Sequence, residues 1–259
     1  MKNKMKKLVV ASGLSLAAIY AYNKFVEANS TRKNLLKTEN GVFYEWKHGN
    51  IFYTRQGNGS PVLLIHDTDS RASGAEWSKI NKKLAKEHTV YTIDLIGCGR
   101  SDKPKIKYTN YLYVQLVTDF VKNVIKEKTD VVATHLSGSF VIMANNLDDS
   151  LFGKIILINP VSLKDMEAIP GNKTEFMQKI INLPIIGTFL YNLHMNPAKI
   201  DIIFRLKYFS RVQLISSKLE DIYYESAHLN KSNGKYLYSS LIANYFNINM
   251  VHAVKNIKK

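Results

Sequence analysis

His135 is the residue of this chain whose setting most clearly suggests chemistry. It follows the strand-like run 130–134 and precedes the helix-like run 137–147. A sharp strand-to-helix turn holds one side chain out, provided that the residues two before and two after it are small. Ala133 and Ser137 meet this requirement. The spacing therefore predicts an elbow that presents an imidazole, a group that acts as a covalent nucleophile in some reactions.

Ser137 is the alternative nucleophile on this elbow. With Ser137 at the exposed position, His135 would stand two residues earlier, where its ring should clash with the closing turn. A nucleophilic His135 would itself need a general base, and the sequence identifies no partner that orients its ring. We therefore expect His135 to be a non-catalytic pocket residue and Ser137 to be the small residue of the turn.

The elements around the elbow alternate between strand-like and helix-like segments. Strands are predicted over residues 42–46, 51–55, 62–65, 89–95, 130–134 and 154–159, and helices over 75–86, 110–126 and 137–147. The run 62–65 is apolar without alternation, as is typical of a strand buried on both faces. This succession predicts an α/β fold with a mostly parallel sheet flanked by helices.

Three motifs in register give residues 41–160 a resemblance to the α/β-hydrolase fold family. The first is the run 59–66, which ends at His66 and continues with Asp67 where the family has glycine. The second is the segment 94–101, similar to the family's Asp-x-x-Gly-x-Gly-x-Ser loop, and the third is the elbow. The resemblance implies hydrolysis of an ester, amide or acyl bond in a small hydrophobic substrate.

The resemblance also implies an oxyanion site made of the backbone N–H groups of Leu136 and Asp67. The family's acid and histidine follow later strands, but residues 161–259 contain no further buried strand-like run, and none of the seven histidines follows one. We therefore expect a hydrolase-like sheet that lacks its last two strands, with the Ser-Asp-His triad incomplete.

The segment beyond the core is predicted to be helical. We expect an α/β-hydrolase core over residues 31–160, a helical lid over 161–240 and a terminal helix within 241–259, where the run 242–258 is helix-like. By the resemblance, lid residues would line a cavity over the elbow. The expected pocket residues are His66, Tyr191 and His228, although contacts between lid and core are the simpler role for lid residues.

The amino terminus carries a targeting pattern. Four lysines between residues 2 and 7 precede an uncharged apolar run from 8 to 22, which extends to 26 only by including Asn23 and Lys24. We expect residues 1–30 to be a membrane anchor or signal segment, with residues 8–26 contacting the membrane and the folded part outside the cytoplasm. Cleavage after Ala28, giving a secreted protein, is the alternative.

The composition of the chain limits the kinds of ligand and partner that we expect it to bind. The 259 residues carry a formal charge of +15, but the lysines are scattered and no arginine–aromatic nucleic-acid module is present. The single cysteine, Cys98, excludes an intramolecular disulfide framework and a cysteine metal cluster. We expect no cofactor, no metal and no nucleic acid.

Three hypotheses of function follow. The chain is a membrane-anchored α/β-hydrolase-like enzyme, a pseudo-hydrolase that binds an apolar ligand, or the amino-terminal fragment of a longer protein. Without further strands, the edge of the strand 154–159 would be exposed and apolar. A partner chain or the terminal helix could cover this edge, and we expect the chain alone to be poorly soluble or oligomeric.

Overall fold

The computed structural model describes residues 2–38 and 40–256. Its centre is a sheet of six strands: β1 (Gly41–Trp46), β2 (Gly49–Gln56), β3 (Ser60–Ile65), β4 (His88–Ile93), β5 (Thr129–Thr134) and β6 (Phe152–Ile158). The strand order is β1-β2-β4-β3-β5-β6. β1, β2 and β4 are successively antiparallel, and β4, β3, β5 and β6 are parallel. The predicted α/β fold with a mostly parallel sheet is confirmed.

The central strand β3 is buried on both faces because its side chains alternate between two apolar layers. Leu63 and Ile65 pack with Phe120 and Phe140, which belong to α3 (Asn110–Phe120) and α4 (Ser137–Leu147). Leu64 packs in the opposite layer with Trp77, next to α2 (Ser78–Leu84). Helices on both faces explain why residues 62–65 are apolar without alternation.

The remaining helices follow β6. They are α5 (Asn172–Asn182), α6 (Ile186–His194), α7 (Pro197–Ile203), α8 (Ser217–Ser232), α9 (Lys235–Ile242) and α10 (Val251–Lys255). A π-helical turn, Phe204–Tyr208, continues α7, and α8 is kinked at residues 229–231. We call residues 172–242 the helical cap. Its role as a lid remains a prediction.

Residues 242–256 do not form the single helix that the sequence predicts; the end of that predicted helix lies outside the described residues. Asn244 has a left-handed backbone, with φ of 61°, which ends α9. The side-chain amide of Asn247 donates to the carbonyls of Asp165 and Ala168 at 3.1 and 2.8 Å. These bonds hold a non-helical connection, so that only α10 is helical in this segment.

The amino-terminal helix α1 (Lys2–Thr31) joins the helical cap through its second half. The side-chain amide of Asn23 donates to the carbonyl of Ile185 and accepts from the amide of Asn192, both at 3.0 Å. Val26 and Ser30 are buried. Within the described residues, no helix has both the length and the apolar character needed to cross a membrane. The anchor or signal role of residues 1–30 stays a prediction.

β6 is the last strand of the described sheet. It pairs with β5 on one side, and no described strand pairs with its other side. Ile156 and Ile158 are exposed along this strand. The exposed apolar edge is therefore present where the sequence predicted it.

Candidate active site

The elbow forms between β5 and α4, as the small residues around His135 predict. His135 has a φ of 47°, the left-handed conformation that turns the chain sharply enough to lift one side chain clear. Its backbone N–H donates to the carbonyl of Ile158 at 2.9 Å, which ties the turn to β6. The side chain is 40% exposed. The residue at the elbow is thus an accessible imidazole.

Asp67 lies opposite this imidazole. The Nδ1 atom of His135 is 3.4 Å from Oδ1 of Asp67. The other carboxylate oxygen of Asp67 accepts a hydrogen bond from the Tyr208 hydroxyl at 3.0 Å. Asp67 thus links the elbow to the helical cap. Sequence reasoning missed this partner of His135, because nothing local relates the two residues.

Ser137 is fully buried at the start of α4. Its hydroxyl donates to the carbonyl of His66 at 2.5 Å, and the Thr68 hydroxyl lies 2.9 Å away. Because the Ser137 hydroxyl is enclosed and already donates its proton, it is not available to attack a ligand in the cleft. This setting matches the small turn residue that the sequence favoured.

His66 is also fully buried and does not line the cleft, contrary to its expected place in the pocket. Its Nε2 accepts from the Leu95 N–H at 3.0 Å, and its Nδ1 lies 2.7 Å from the carbonyl of Asp67. These partners require a proton on Nδ1 and none on Nε2. Burial lowers the pKa of His66 and favours this neutral form. His66 therefore fixes the loop after β3.

The two predicted oxyanion donors, the N–H groups of Asp67 and Leu136, have different surroundings in the structure. The N–H of Asp67 donates to Oε2 of Glu76 at 3.3 Å. The next residue, Thr68, lines the cleft together with Leu136. The Asp67 N–H is therefore engaged by a carboxyl group and is not free to bind an oxyanion.

Glu76 supplies the carboxyl group that accepts the hydrogen bond from the Asp67 N–H. The Tyr223 hydroxyl donates to its Oε1 at 2.8 Å, and the Thr134 hydroxyl donates to its Oε2 at 3.2 Å. Burial, aided by the charge of Asp67, raises the pKa of Glu76 to about 8, while these hydrogen bonds oppose the rise. Glu76 lies in the turn Gly74–Trp77, which no motif marks as functional.

The cleft in front of the elbow has a volume of about 450 Å³. Its lining is formed by Asp67, Thr68, Asp69, Arg71, His135, Leu136, Asn159, Ile203, Tyr208 and Leu241. Polar side chains dominate the part contributed by the core, and apolar ones come mainly from the helical cap. The cleft is therefore more polar than a site for a purely hydrophobic ligand.

Arg71 is the buried cation of this cleft. Its Nε donates to Oδ1 of Asp69 at 2.8 Å, and its Nη2 pairs with Oδ2 of the same carboxylate. Burial disfavours the charge, but Asp69 outweighs it and raises the pKa of Arg71. The Nη1 atom is buried and has no hydrogen-bond partner among the described residues. The guanidinium is thus fixed in orientation with one nitrogen unsatisfied.

The two cap residues expected in the pocket lie elsewhere. Tyr191 is fully buried and donates from its hydroxyl to the carbonyl of Ala227 at 2.8 Å. His228 is buried in α8, with its Nδ1 2.7 Å from the carbonyl of Tyr224. Burial lowers the pKa of His228 to about 4. Neither residue lines the cleft, because both face the interior of the cap.

The loop after β4 supports the site without lining it. Arg100 binds the buried carboxylate of Asp94 through Nε at 2.7 Å and Nη2 at 2.8 Å. Burial tends to raise the pKa of Asp94, but Arg100 outweighs it and holds the pKa below its usual value. A Cβ on Gly99, whose φ is 47°, would lie 2.2 Å from Oδ2 of Asp94. The glycine of this motif thus permits the loop to close on the carboxylate.

No group of three or more histidine, cysteine or acidic side chains in the described part of the chain is arranged to hold a metal ion.

A mostly parallel sheet with a strand–elbow–helix at its centre is the arrangement of the α/β-hydrolase class of proteins. The sequence model of the family described as "Alpha/beta hydrolase family" matches residues 62–219. The chain belongs to this family.

Two curated relatives are similar over part of their length. The 2-hydroxy-6-oxo-6-(2'-aminophenyl)hexa-2,4-dienoic acid hydrolase of Metapseudomonas resinovorans is 28% identical over 113 residues, which are 43% of this chain and 39% of the relative. The soluble epoxide hydrolase of Corynebacterium sp. is 29% identical over 89 residues, which are 34% of this chain and 30% of the relative. The matches therefore cover well under half of these relatives.

Solved structures share the fold. An alpha/beta hydrolase fold protein from Burkholderia ambifaria superposes with a TM-score of 0.59 at 20% identity, covering 78% of this chain and 70% of that one. A meta-cleavage product hydrolase from Pseudomonas fluorescens has a TM-score of 0.60 at 16% identity, covering 82% and 74%. At these identities the likeness concerns the fold alone.

Proposed function

We propose that this α/β-hydrolase family protein binds a small organic acid in the His135 cleft without cleaving it by nucleophilic attack. The observation that carries the proposal is the side chain at the elbow. An imidazole stands at position 135, and the nearby Ser137 hydroxyl is buried and bonded to the carbonyl of His66. A serine-type mechanism needs an exposed hydroxyl next to a base.

The ligand class follows from the polar groups of the cleft. The N–H groups of Thr68 and Leu136 would bind a carbonyl oxygen, since backbone donors act independently of the side chain at the elbow. Arg71 lines the cleft, and its positive charge favours a carboxylate, which guanidinium groups bind strongly. The Metapseudomonas relative, named as a dienoic acid hydrolase, supports an acid that also carries a carbonyl group.

Hydrolysis is the second candidate, and the pairing of His135 with Asp67 favours it. A carboxylate near Nδ1 orients an imidazole so that its other nitrogen can accept a proton from water. In this mechanism His135 acts as a general base, and the Thr68 and Leu136 N–H groups stabilise the oxyanion. The substrate would be an ester, amide or acyl compound, as the sequence predicts.

The binding test uses three related probes and the purified chain. Isothermal titration with 2-oxo-4-phenylbutanoate should give saturable binding, whereas 4-phenylbutan-2-one, without the carboxylate, and 4-phenylbutanoate, without the carbonyl, should bind at least about tenfold more weakly. Arg71→Met should remove the preference for the carboxylate. Equal affinity for the three probes, or no binding of any, contradicts the proposal.

The catalytic test uses p-nitrophenyl butyrate and a fluorophosphonate probe. We expect no turnover above background and no labelling. Turnover that disappears in both His135→Gln and Asp67→Asn would replace the binding proposal with general-base hydrolysis.

The fragment hypothesis has a separate test. In-phase codons for a strand and a histidine downstream of the Lys259 codon would support it, and a stop codon without them would remove it.

A further inference from the structure

The outward face of α6 is apolar. Ile186, Leu190 and Leu193 are exposed by 42%, 38% and 43%, and their spacing of four and three residues places them on one side of the helix. The opposite side carries Tyr191 and Asn192, which are buried in the cap. A surface helix of a soluble domain normally has a polar outward face. We call Ile186, Leu190 and Leu193 the α6 stripe.

α1 lies directly beside α6. The Asn23 amide bonds to Ile185 and Asn192, as described above, and the rings of Tyr22 and Phe189 meet edge to face with centroids 5.4 Å apart. These contacts fix the second half of α1 against the same helix that carries the stripe. The two helices are therefore packed side by side.

The preceding part of α1 projects from the body. Residues 13–18 are exposed around the whole helix, and Leu14 is 68% exposed. This stretch contains no charged residue, and four lysines precede it in the sequence at positions 2, 4, 6 and 7. A cluster of lysines beside an apolar helix is typical of segments that bind acidic membrane surfaces.

We propose that α1 and the α6 stripe together dock the protein on an acidic lipid bilayer. The apolar part of α1 enters the interface, and the α6 stripe lies against the same surface. The formal charge of +15 favours anionic lipid as the occupant over a second copy of this equally basic chain. This inference is independent of the ligand proposed for the cleft.

The first test is co-sedimentation of the full chain with vesicles. We expect binding to phosphatidylcholine mixed with phosphatidylglycerol and at least about tenfold weaker binding to phosphatidylcholine alone. Leu14→Glu and Leu190→Glu should each reduce binding, whereas the control Leu147→Glu, at an exposed site outside this surface, should not. These positions are exposed, so unfolding curves of the variants should coincide with that of the parent.

The second test measures how deeply positions 14 and 190 enter the bilayer. Cys98 is buried, so that Leu14→Cys and Leu190→Cys can be spin-labelled selectively. On acidic vesicles both labels should become more accessible to oxygen and less accessible to a water-soluble nickel reagent, and a label at Leu147→Cys should stay aqueous. Labels at positions 14 and 190 that stay aqueous overturn the proposal. A second outcome also overturns the proposal: the protein forms a dimer without lipid, Leu190→Glu converts this dimer to a monomer, and the parent does not bind vesicles.

Discussion

His135 and Asp67 face each other across the cleft, with Nδ1 of the imidazole 3.4 Å from Oδ1 of the carboxylate. His135 follows β5 and Asp67 follows β3, and these parallel strands are neighbours in the sheet. Side chains at the carboxyl ends of neighbouring parallel strands meet at one edge. The pairing therefore arises from the strand order and gives the elbow imidazole an orienting partner.

The two side chains of this pair should stabilise each other. A double-mutant cycle of Asp67→Asn and His135→Gln should give a coupling energy of about 0.5–1 kcal/mol, because the two groups are in contact at a partly exposed site. Urea unfolding measures the coupling. A cycle of Asp67→Asn with His252→Gln, on α10, is the control and should show none. A coupling energy of zero would argue against a direct interaction between His135 and Asp67.

Glu76 should make the protein less stable as pH rises. Its pKa is raised to about 8 in the folded state from an ordinary 4.5, so the folded state binds the additional proton between these values and loses stability as pH rises through them. Glu76→Gln should remove a penalty on the order of a few kcal/mol. The melting temperature of Glu76→Gln should therefore exceed that of the parent, and the difference should be larger near pH 8 than near pH 4.5. A difference that is constant with pH would disprove the buried protonated carboxyl.

Ser137→Ala should affect stability and nothing else. The variant leaves the His66 carbonyl without its hydroxyl donor, at a cost of about 1 kcal/mol in the free energy of unfolding. Ser210→Ala, at an exposed site, is the control and should be neutral. Chemical denaturation measures both. If the parent hydrolyses an ester and Ser137→Ala abolishes that activity without loss of stability, Ser137 is the nucleophile after all.

Arg100→Met should be strongly destabilising. It would leave the fully buried Asp94 carboxylate without its cation, and breaking a buried ion pair from one side costs about 3–5 kcal/mol. Arg55→Met, whose guanidinium lies over the Tyr91 ring, tests the loss of an arginine without a buried pair. We expect a loss of soluble protein or a large drop in melting temperature for Arg100→Met only. Equal losses in both variants would contradict this role.

The exposed edge of β6 should cause self-association. Ile156 and Ile158 lie on a strand whose outer edge no described strand covers, and such edges template pairing with other chains. Ile156→Lys with Ile158→Lys should shift the protein towards monomer in light scattering after size exclusion. Ile80→Lys with Leu214→Lys adds the same two charges at exposed positions outside β6 and should not. A monodisperse monomeric parent would remove the prediction.

The fold could be predicted from the sequence because its signals are local. Apolar runs defined β3 and β5, and the small residues around His135 fixed the register of the elbow. The helix predicted over residues 242–258 failed because Asn244 and Asn247 form specific turn and side-chain contacts that apolar periodicity does not report.

The site was predicted less completely because its contacts join distant segments. Tyr223 and Glu76 are 147 residues apart, and Tyr208 and Asp67 are 141 apart. The elbow and the loop after β3 were located correctly, yet the direction of the Asp67 N–H depends on Glu76, which no motif marks. Tyr191 and His228 were expected in the cavity because they lie in the cap, and their burial inside it depends on helix packing alone.

The bond between Asn23 and Asn192 also constrains the order of events during synthesis. The two residues are 169 positions apart, so α1 leaves the ribosome long before α6 exists. During that interval the face that carries Asn23 and Val26 has no partner within the chain. Contacts of such large sequence separation form late, because the intervening loop must close first. α1 is therefore synthesised first but packs against its partner helix late. Until α6 is made, the apolar residues of α1 remain accessible to other molecules that contact the nascent chain.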